Sequence, residues 1–309
     1  MNELAVPMAL VGAGSFAVSS VLQQRDARDA PAEESLSWRL IADLLRRPMW
    51  LIGMGCTLLG FALQAMALSF APVAVVEPLI ATELVLALPL ASRLRKLRLG
   101  RREWLGAAAV SAGVAMFMAV SSPRGGNPEP SFVTWVSVGL PVLTLAGGAV
   151  ALAGRGETPR RAALLATAAG LCFALLALVL QSLVTLFARG PALAFASWQP
   201  YALAVLGPVA FTVAQSAFQA APLAISLPII DSIEPTGAVL LSVLAFRQNL
   251  SLRPVSLALE SLGGLLALAG IFLLGRSPLV LSIYERQQQA KGDTRASAPK
   301  PAWARCEAG

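Results

Sequence analysis

The sequence predicts an all-α polytopic membrane protein of nine transmembrane helices built on an inverted-topology repeat. Three observations lead there. The chain is 56% hydrophobic and only 13% charged, against roughly 25% charged in soluble domains. Its apolar residues fall into blocks of about 20, the length that crosses a bilayer core. Its basic residues sit almost wholly on one set of inter-block loops. No polar stretch is long enough to bury a soluble core. The chain has no histidine, which excludes His-ligated metals and histidine acid–base catalysis. Cys56, Cys172 and Cys306 are scattered and form neither a CxxC nor a disulfide framework.

The nine spans are read in order at about 3–24, 49–69, 72–92, 104–121, 132–153, 162–187, 199–219, 222–246 and 256–275. The start, MNELAVPMALVGAGSF, has no basic residue before its apolar run. That predicts a retained helix, since a signal peptide carries a basic n-region. Between spans 1 and 2, residues 35–47 place Leu36, Leu40, Ile41 and Leu44 at helical spacing, with Arg39, Asp43 and Arg47 elsewhere. A short helix lying on the inner leaflet is expected there. The polar, Pro-containing tail 276–309 predicts a disordered cytoplasmic segment. The membrane domain is therefore 1–275.

With the N-terminus outside, the inside segments hold 20 Lys and Arg and the outside segments only 4. The positive-inside rule then gives N-terminus outside and C-terminus cytoplasmic, in the cell inner (plasma) membrane. The same asymmetry accounts for the pI near 10.1 without a nucleic-acid partner. The partners expected are the lipid bilayer and a small cation or small-molecule substrate, with a homodimer allowed. No cofactor is expected, because no Walker A loop or dinucleotide fingerprint occurs.

The chain resembles itself. FAPVAVVEPLIA (70–81) matches AAPLAISLPIID (220–231), with Ala-Pro at 71–72 and 221–222 and a second proline at Pro78 and Pro228. EWLGAAAVSAGVAMF (103–117) matches ESLGGLLALAGIFLL (260–274). A weaker match links 14–24 to 171–181. Spans 1–4 (about 3–121) thus pair with spans 6–9 (about 162–275), with span 5 between. Span 1 starts outside and span 6 inside, so the repeats have opposite topology, the architecture of many secondary transporters. Gly106 and Gly113, and their counterparts Gly263 and Gly270, repeat every seven residues. Each pair marks one face where helices approach closely.

The ionisable residues inside the spans are all acidic: Glu77, Glu83, Asp231, Glu234 and Glu260. Each costs on the order of 2.5–3.5 kcal/mol to insert mid-helix. Glu260 aligns with Glu103 and is read as a helix N-terminal or interfacial residue. Asp231 and Glu234 share a helix face near the midplane. Pro235 follows and frees the carbonyl of Asp231. Together they suggest a hard-cation (metal) or proton site. The competing reading is structural, with an acid hydrogen-bonded to Ser232 or a neighbouring helix. Glu83 also falls near the midplane, and Glu77 nearer the outer face. Pro78, Pro228 and Pro235 are expected helix kinks.

These motifs resemble the drug/metabolite transporter superfamily (EamA-like), on the inverted repeat, the Ala-Pro start, Glu234-Pro235 and the Gly-rich last helix. F-A-P-x-x-x-V-x-P-L-x-A (70–81) looks more like the NIPA-type magnesium transporter branch, which also implies nine spans. The resemblance covers most of residues 3–275. Where many members carry a glutamate at the exit of a repeat's fourth helix, this chain has Arg93 and Arg247-Gln248. Glu77 and Glu83 are not part of the NIPA-type motif either. The expectation is an alternating-access transporter moving a cation, Mg²⁺ or another divalent ion among them, through a midplane acidic site formed by Glu83, Asp231, Glu234 and Glu77. A proton-coupled exporter of small metabolites or drugs is the alternative. A membrane-embedded enzyme or a lipid-binding scaffold stands behind both: an enzyme lacks histidine and a nucleotide site here, and a scaffold leaves the midplane acids unexplained.

Overall fold

The computed structural model describes residues 4–70, 76, 79–94, 99–120, 130–156, 158–247 and 254–276. Among them there are helices and no strand. We number the α-helices α1 (Ala5–Arg28), α2 (Trp38–Leu44), α3 (Pro48–Phe70), α4 (Glu83–Leu94), α5 (Arg101–Val120), α6 (Phe132–Ala153), α7 (Pro159–Arg189), α8 (Pro191–Ala196), α9 (Gln199–Ala220), α10 (Leu223–Phe246) and α11 (Pro254–Gly275). Eight of these, all but α2, α4 and α8, are long and apolar enough to cross a membrane. The protein is a polytopic helical membrane protein.

Local chemistry starts and stops the helices where the spans predict. Ser131 caps α6 by accepting from Thr134 N, and Thr158 caps α7 by accepting from Arg161 N ahead of Pro159. These side chains satisfy donors that a helix start leaves open. α6 ends at Gly154, whose φ of 63° suits glycine because no Cβ opposes it. Glu103 reaches back to accept from Gly100 N at 2.8 Å and is only 2% exposed.

α1 packs along α3; α7 packs against α6, α9 and α10; α5 packs along α11. Lipid tails are as apolar as the side chains, so helix association in a bilayer relies on close van der Waals fit. The α5–α11 seam supplies it with glycine. A Cβ on Gly113 would lie 2.5 Å from Gly263 O and from Ala267 N. A Cβ on Gly106 would meet Leu274 at 2.7 Å and Gly270 O at 3.2 Å. The pairs 113–263 and 106–270 run in opposite senses, so the two helices are antiparallel with their backbones touching.

Three local features differ from the sequence expectation. Span 3 is not one continuous helix among the described residues. A turn at Ala81–Thr82 precedes α4, and Thr82 Oγ1 donates to Leu79 O at 2.6 Å. A side chain that bonds the local carbonyl competes with helix continuation. Glu77 and Pro78 lie outside the described residues, as does the tail from 277 onward. Glu260 is not at a helix start, because α11 begins at Pro254. Its Oε1 is buried with no hydrogen-bond partner among the described residues. Finally, α2 turns only part of its apolar stripe to protein, while Leu36 is exposed. Leu40 and Leu44 are 0% exposed because α2 packs on α9 and α1.

That last packing closes one end of the bundle. The α9–α10 connection is entirely buried from Val213 to Ile230. Segment 29–47 covers it. Gln219 Nε2 donates to Ala30 O at 3.2 Å and Pro31 O at 2.7 Å. Leu36, held at φ 60°, donates its N–H to Ser216 Oγ at 2.9 Å. Arg47 bonds Asp43 Oδ2 at 2.7 Å and the carbonyls of Asp26 and Asp29 at 3.0 and 3.2 Å. Arg161 of α7 donates to Ser35 Oγ at 2.8 Å.

Candidate functional site

A cavity of about 710 Å³ lies between α1, α3, α4, α5, α7, α9 and α10. Several of these helices contribute a stripe at helical spacing. α1 presents Phe16, Ser20 and Gln23; α3 presents Thr57, Phe61 and Gln64; α10 presents Leu227, Asp231, Glu234 and Ala238. Such i, i+4, i+7 stripes are one face of a helix.

Three of the sequence-predicted acids line this cavity: Glu83, Asp231 and Glu234. All three are partly buried. Glu83 opens α4, where the positive end of the helix dipole favours an anion. Ser20 Oγ donates to Glu83 Oε1 at 2.7 Å. Asp231 and Glu234 sit near the middle of the 24-residue α10, which runs through both Pro228 and Pro235. The Ser232 hydroxyl donates to Pro228 O at 2.7 Å. Among the described residues no lysine or arginine lines the cavity. The acids nevertheless do not converge on a point: among the described residues no three His, Cys, Asp or Glu side chains are grouped to hold a metal ion.

Beside the acids runs a chain of amides and hydroxyls. Trp50 Nε1 donates to Gln215 Oε1 at 3.3 Å, and Gln215 Nε2 donates to Gln23 Oε1 at 2.7 Å. Gln23 Nε2 donates to Ser19 Oγ at 2.7 Å and Thr57 Oγ1 at 3.0 Å. This network ties α1, α3 and α9 together between the cavity and the covered end. Gln64 and Gln181 line the cavity too, and Gln181 is exposed.

The sequence reading singled out none of the aromatic lining. Five phenylalanines face the cavity: Phe16, Phe61, Phe173, Phe211 and Phe218. Phe16 and Phe61 meet edge to face with centroids 5.1 Å apart. Gly60 admits this pair, since a Cβ there would lie 2.7 Å from the Phe16 ring. Ser20 and Ser111 were also missed. The signal available was the spacing of polar residues along α1 and α3, which alternates Phe, Ser or Thr and Gln on one face. Gly106, Gly113, Gly263 and Gly270 lie in the α5–α11 seam, away from this lining.

The chain is 31% identical over 249 residues to an uncharacterized protein of Corynebacterium glutamicum, covering 80% of this chain and 86% of that one. It belongs to the family of that protein. No protein-family profile matches the chain, and no solved structure matches it.

Proposed function

We propose that this protein is an alternating-access transporter of the drug/metabolite type that carries a cation through the acidic cavity. The observation that carries this reading is the lining: Glu83, Asp231 and Glu234 face one cavity, with no basic side chain among its described residues. Carboxylates in a low-dielectric wall attract a cation strongly. They repel anionic cargo. Stored acids of this kind are costly in a membrane and mark ion and substrate pathways.

The fold around the cavity supports the reading. Secondary transporters place their site at discontinuous helices near the midplane. Glu83 stands where the segment 79–94 breaks and restarts. With that broken segment counted as the ninth span, spans 1–4 and 6–9 form the inverted repeat, and the antiparallel α5–α11 seam joins the last helix of each half. The N-terminus lies outside and the C-terminus in the cytoplasm of the inner membrane. Segment 29–47 is then the cytoplasmic cover, and the cavity extends away from it toward Gln64 and Gln181. The conformation is thus outward-facing. Transport requires the cover to release Ser216 and Gln219 and the opposite end to close.

The test is uptake into proteoliposomes, scanning Mg²⁺, other divalent ions, organic cations and a pH gradient. Flux should appear with a cation and fall by at least tenfold in Glu83→Gln and Glu234→Gln. Wild-type flux in both variants would sink the carboxylate-site reading.

A further inference from the structure

We infer that the cargo is a hydrophobic organic monocation, a protonated amine with an aromatic or branched apolar body, rather than a metal ion. The inference rests on the transporter reading above and names its substrate class.

The cavity suits such a molecule better than a dehydrated metal ion. A metal ion stripped of water needs a full shell of converging oxygen ligands, and no group of three His, Cys, Asp or Glu side chains is gathered among the described residues. The volume of about 710 Å³ lies inside the range of pockets that enclose drug-sized ligands. A divalent ion with its water shell has no use for phenylalanine. Five rings face the cavity instead, and ring faces attract weakly hydrated organic cations.

The charged and aromatic parts are joined by the helix period. Phe16 and Ser20 are one turn apart on α1, and Ser20 donates to Glu83. The Phe16–Phe61 pair therefore lies beside the carboxylate. An ammonium at Glu83 would place its apolar body against these rings. Ser111 adds a specific partner. Its hydroxyl lines the cavity, is buried at 7% exposure, and has no hydrogen-bond partner among the described residues. A buried hydroxyl without a partner is costly. An N–H of a bound amine would satisfy its oxygen, which a quaternary ammonium, having no N–H, cannot do.

The test uses the full-length protein purified in detergent and dibenzylammonium as the probe, measured by calorimetry. Uncharged dibenzyl ether and Mg²⁺ serve as comparisons, and size-exclusion elution checks that each variant is folded. The expected result is saturable dibenzylammonium binding, no measurable binding of the ether, and no competition by millimolar Mg²⁺. Glu83→Gln should weaken binding about tenfold or more. Phe16→Leu, which keeps apolar volume but removes the ring, should weaken it about 2- to 5-fold. Ether binding equal to the ammonium, or ammonium binding unchanged in Glu83→Gln, overturns the inference. Mg²⁺ flux in proteoliposomes without dibenzylammonium binding overturns it too, while leaving the transporter reading intact. Absence of any cation flux and any binding removes both.

Discussion

The α5–α11 seam allows a sharp test of how the two ends of the chain hold together. Consider Gly113→Ala beside Gly264→Ala. Both sit inside helices, so each gains helix propensity, about 1 kcal/mol. At Gly264 nothing lies within 4 Å of a built Cβ, and the gain should survive. At Gly113 the new methyl would stand 2.5 Å from Gly263 O and Ala267 N. Ordinary van der Waals contact needs about 3.5 Å or more. The neighbours are backbone atoms and cannot swing aside, so the helices must separate by about 1 Å along the seam. Overpacking of this kind costs about 1–3 kcal/mol, which exceeds the propensity gain. Since both gain the same propensity, the two variants should differ by that overpacking cost, about 1–3 kcal/mol, or roughly 2–5 °C in Tm for a chain of this length. Thermal unfolding in detergent, followed by loss of the monodisperse elution peak, measures it. Equal Tm for the two variants would refute the reasoning, because only the seam distinguishes them. Gly263→Ala should behave like Gly113→Ala, with a Cβ 2.7 Å from Gly113 O. The double variant should be less than additive, since one separation relieves both clashes.

Four further outcomes are expected. Leu40→Ala removes a fully buried side chain from the cover and should lower stability by about 2–5 kcal/mol, read as Tm. In a background free of native cysteine, Ser226→Cys, at a position now fully buried, should resist thiol reagents; adding Gln219→Ala should make it reactive, and unchanged reactivity would show that the Gln219 contacts do not hold the cover shut. Asp43→Ala should cost only about 0.3–0.5 kcal/mol, because its pair with Arg47 is a half-exposed i,i+4 bridge, whereas Arg47→Ala also frees the carbonyls of Asp26 and Asp29 and should lower Tm more; a larger drop for Asp43→Ala contradicts this. Ser20→Ala removes the hydroxyl that donates to Glu83 and should weaken cation flux by about 3- to 10-fold, measured in proteoliposomes against wild type.

Much of the membrane architecture was legible because the bilayer imposes it locally. Eight of the nine spans appear as long apolar helices within a few residues of their expected limits, since every backbone group in lipid must be paired within its own segment. Span 3 is the exception, and its departure is physical. Thr82 bonds Leu79 O, and Glu83 restarts a helix. Hydropathy averages over such a break and cannot register it. The sequence also could not say what the apolar face of α2 meets. Amphipathic spacing says that Leu40 and Leu44 leave water, but not whether they enter lipid or protein. The analogy of Glu260 with Glu103 failed for a related reason. The two align in sequence, yet α5 starts at Arg101 and α11 at Pro254, so only Glu103 can reach back to a free backbone donor.

The sequence by itself determined that the chain is a polytopic helical membrane protein and that the ionisable residues inside its expected spans are all acidic, because both follow from composition and spacing along the chain. Only the tertiary structure decided which acids meet. Glu83, Asp231 and Glu234 reach one cavity because α4 restarts against α1 and α10. The phenylalanines that surround them come from α1, α3, α7 and α9. Contacts between helices depend on how small residues such as Gly60, Gly113 and Gly263 let backbones approach, and that is a property of pairs of surfaces rather than of either sequence stretch alone.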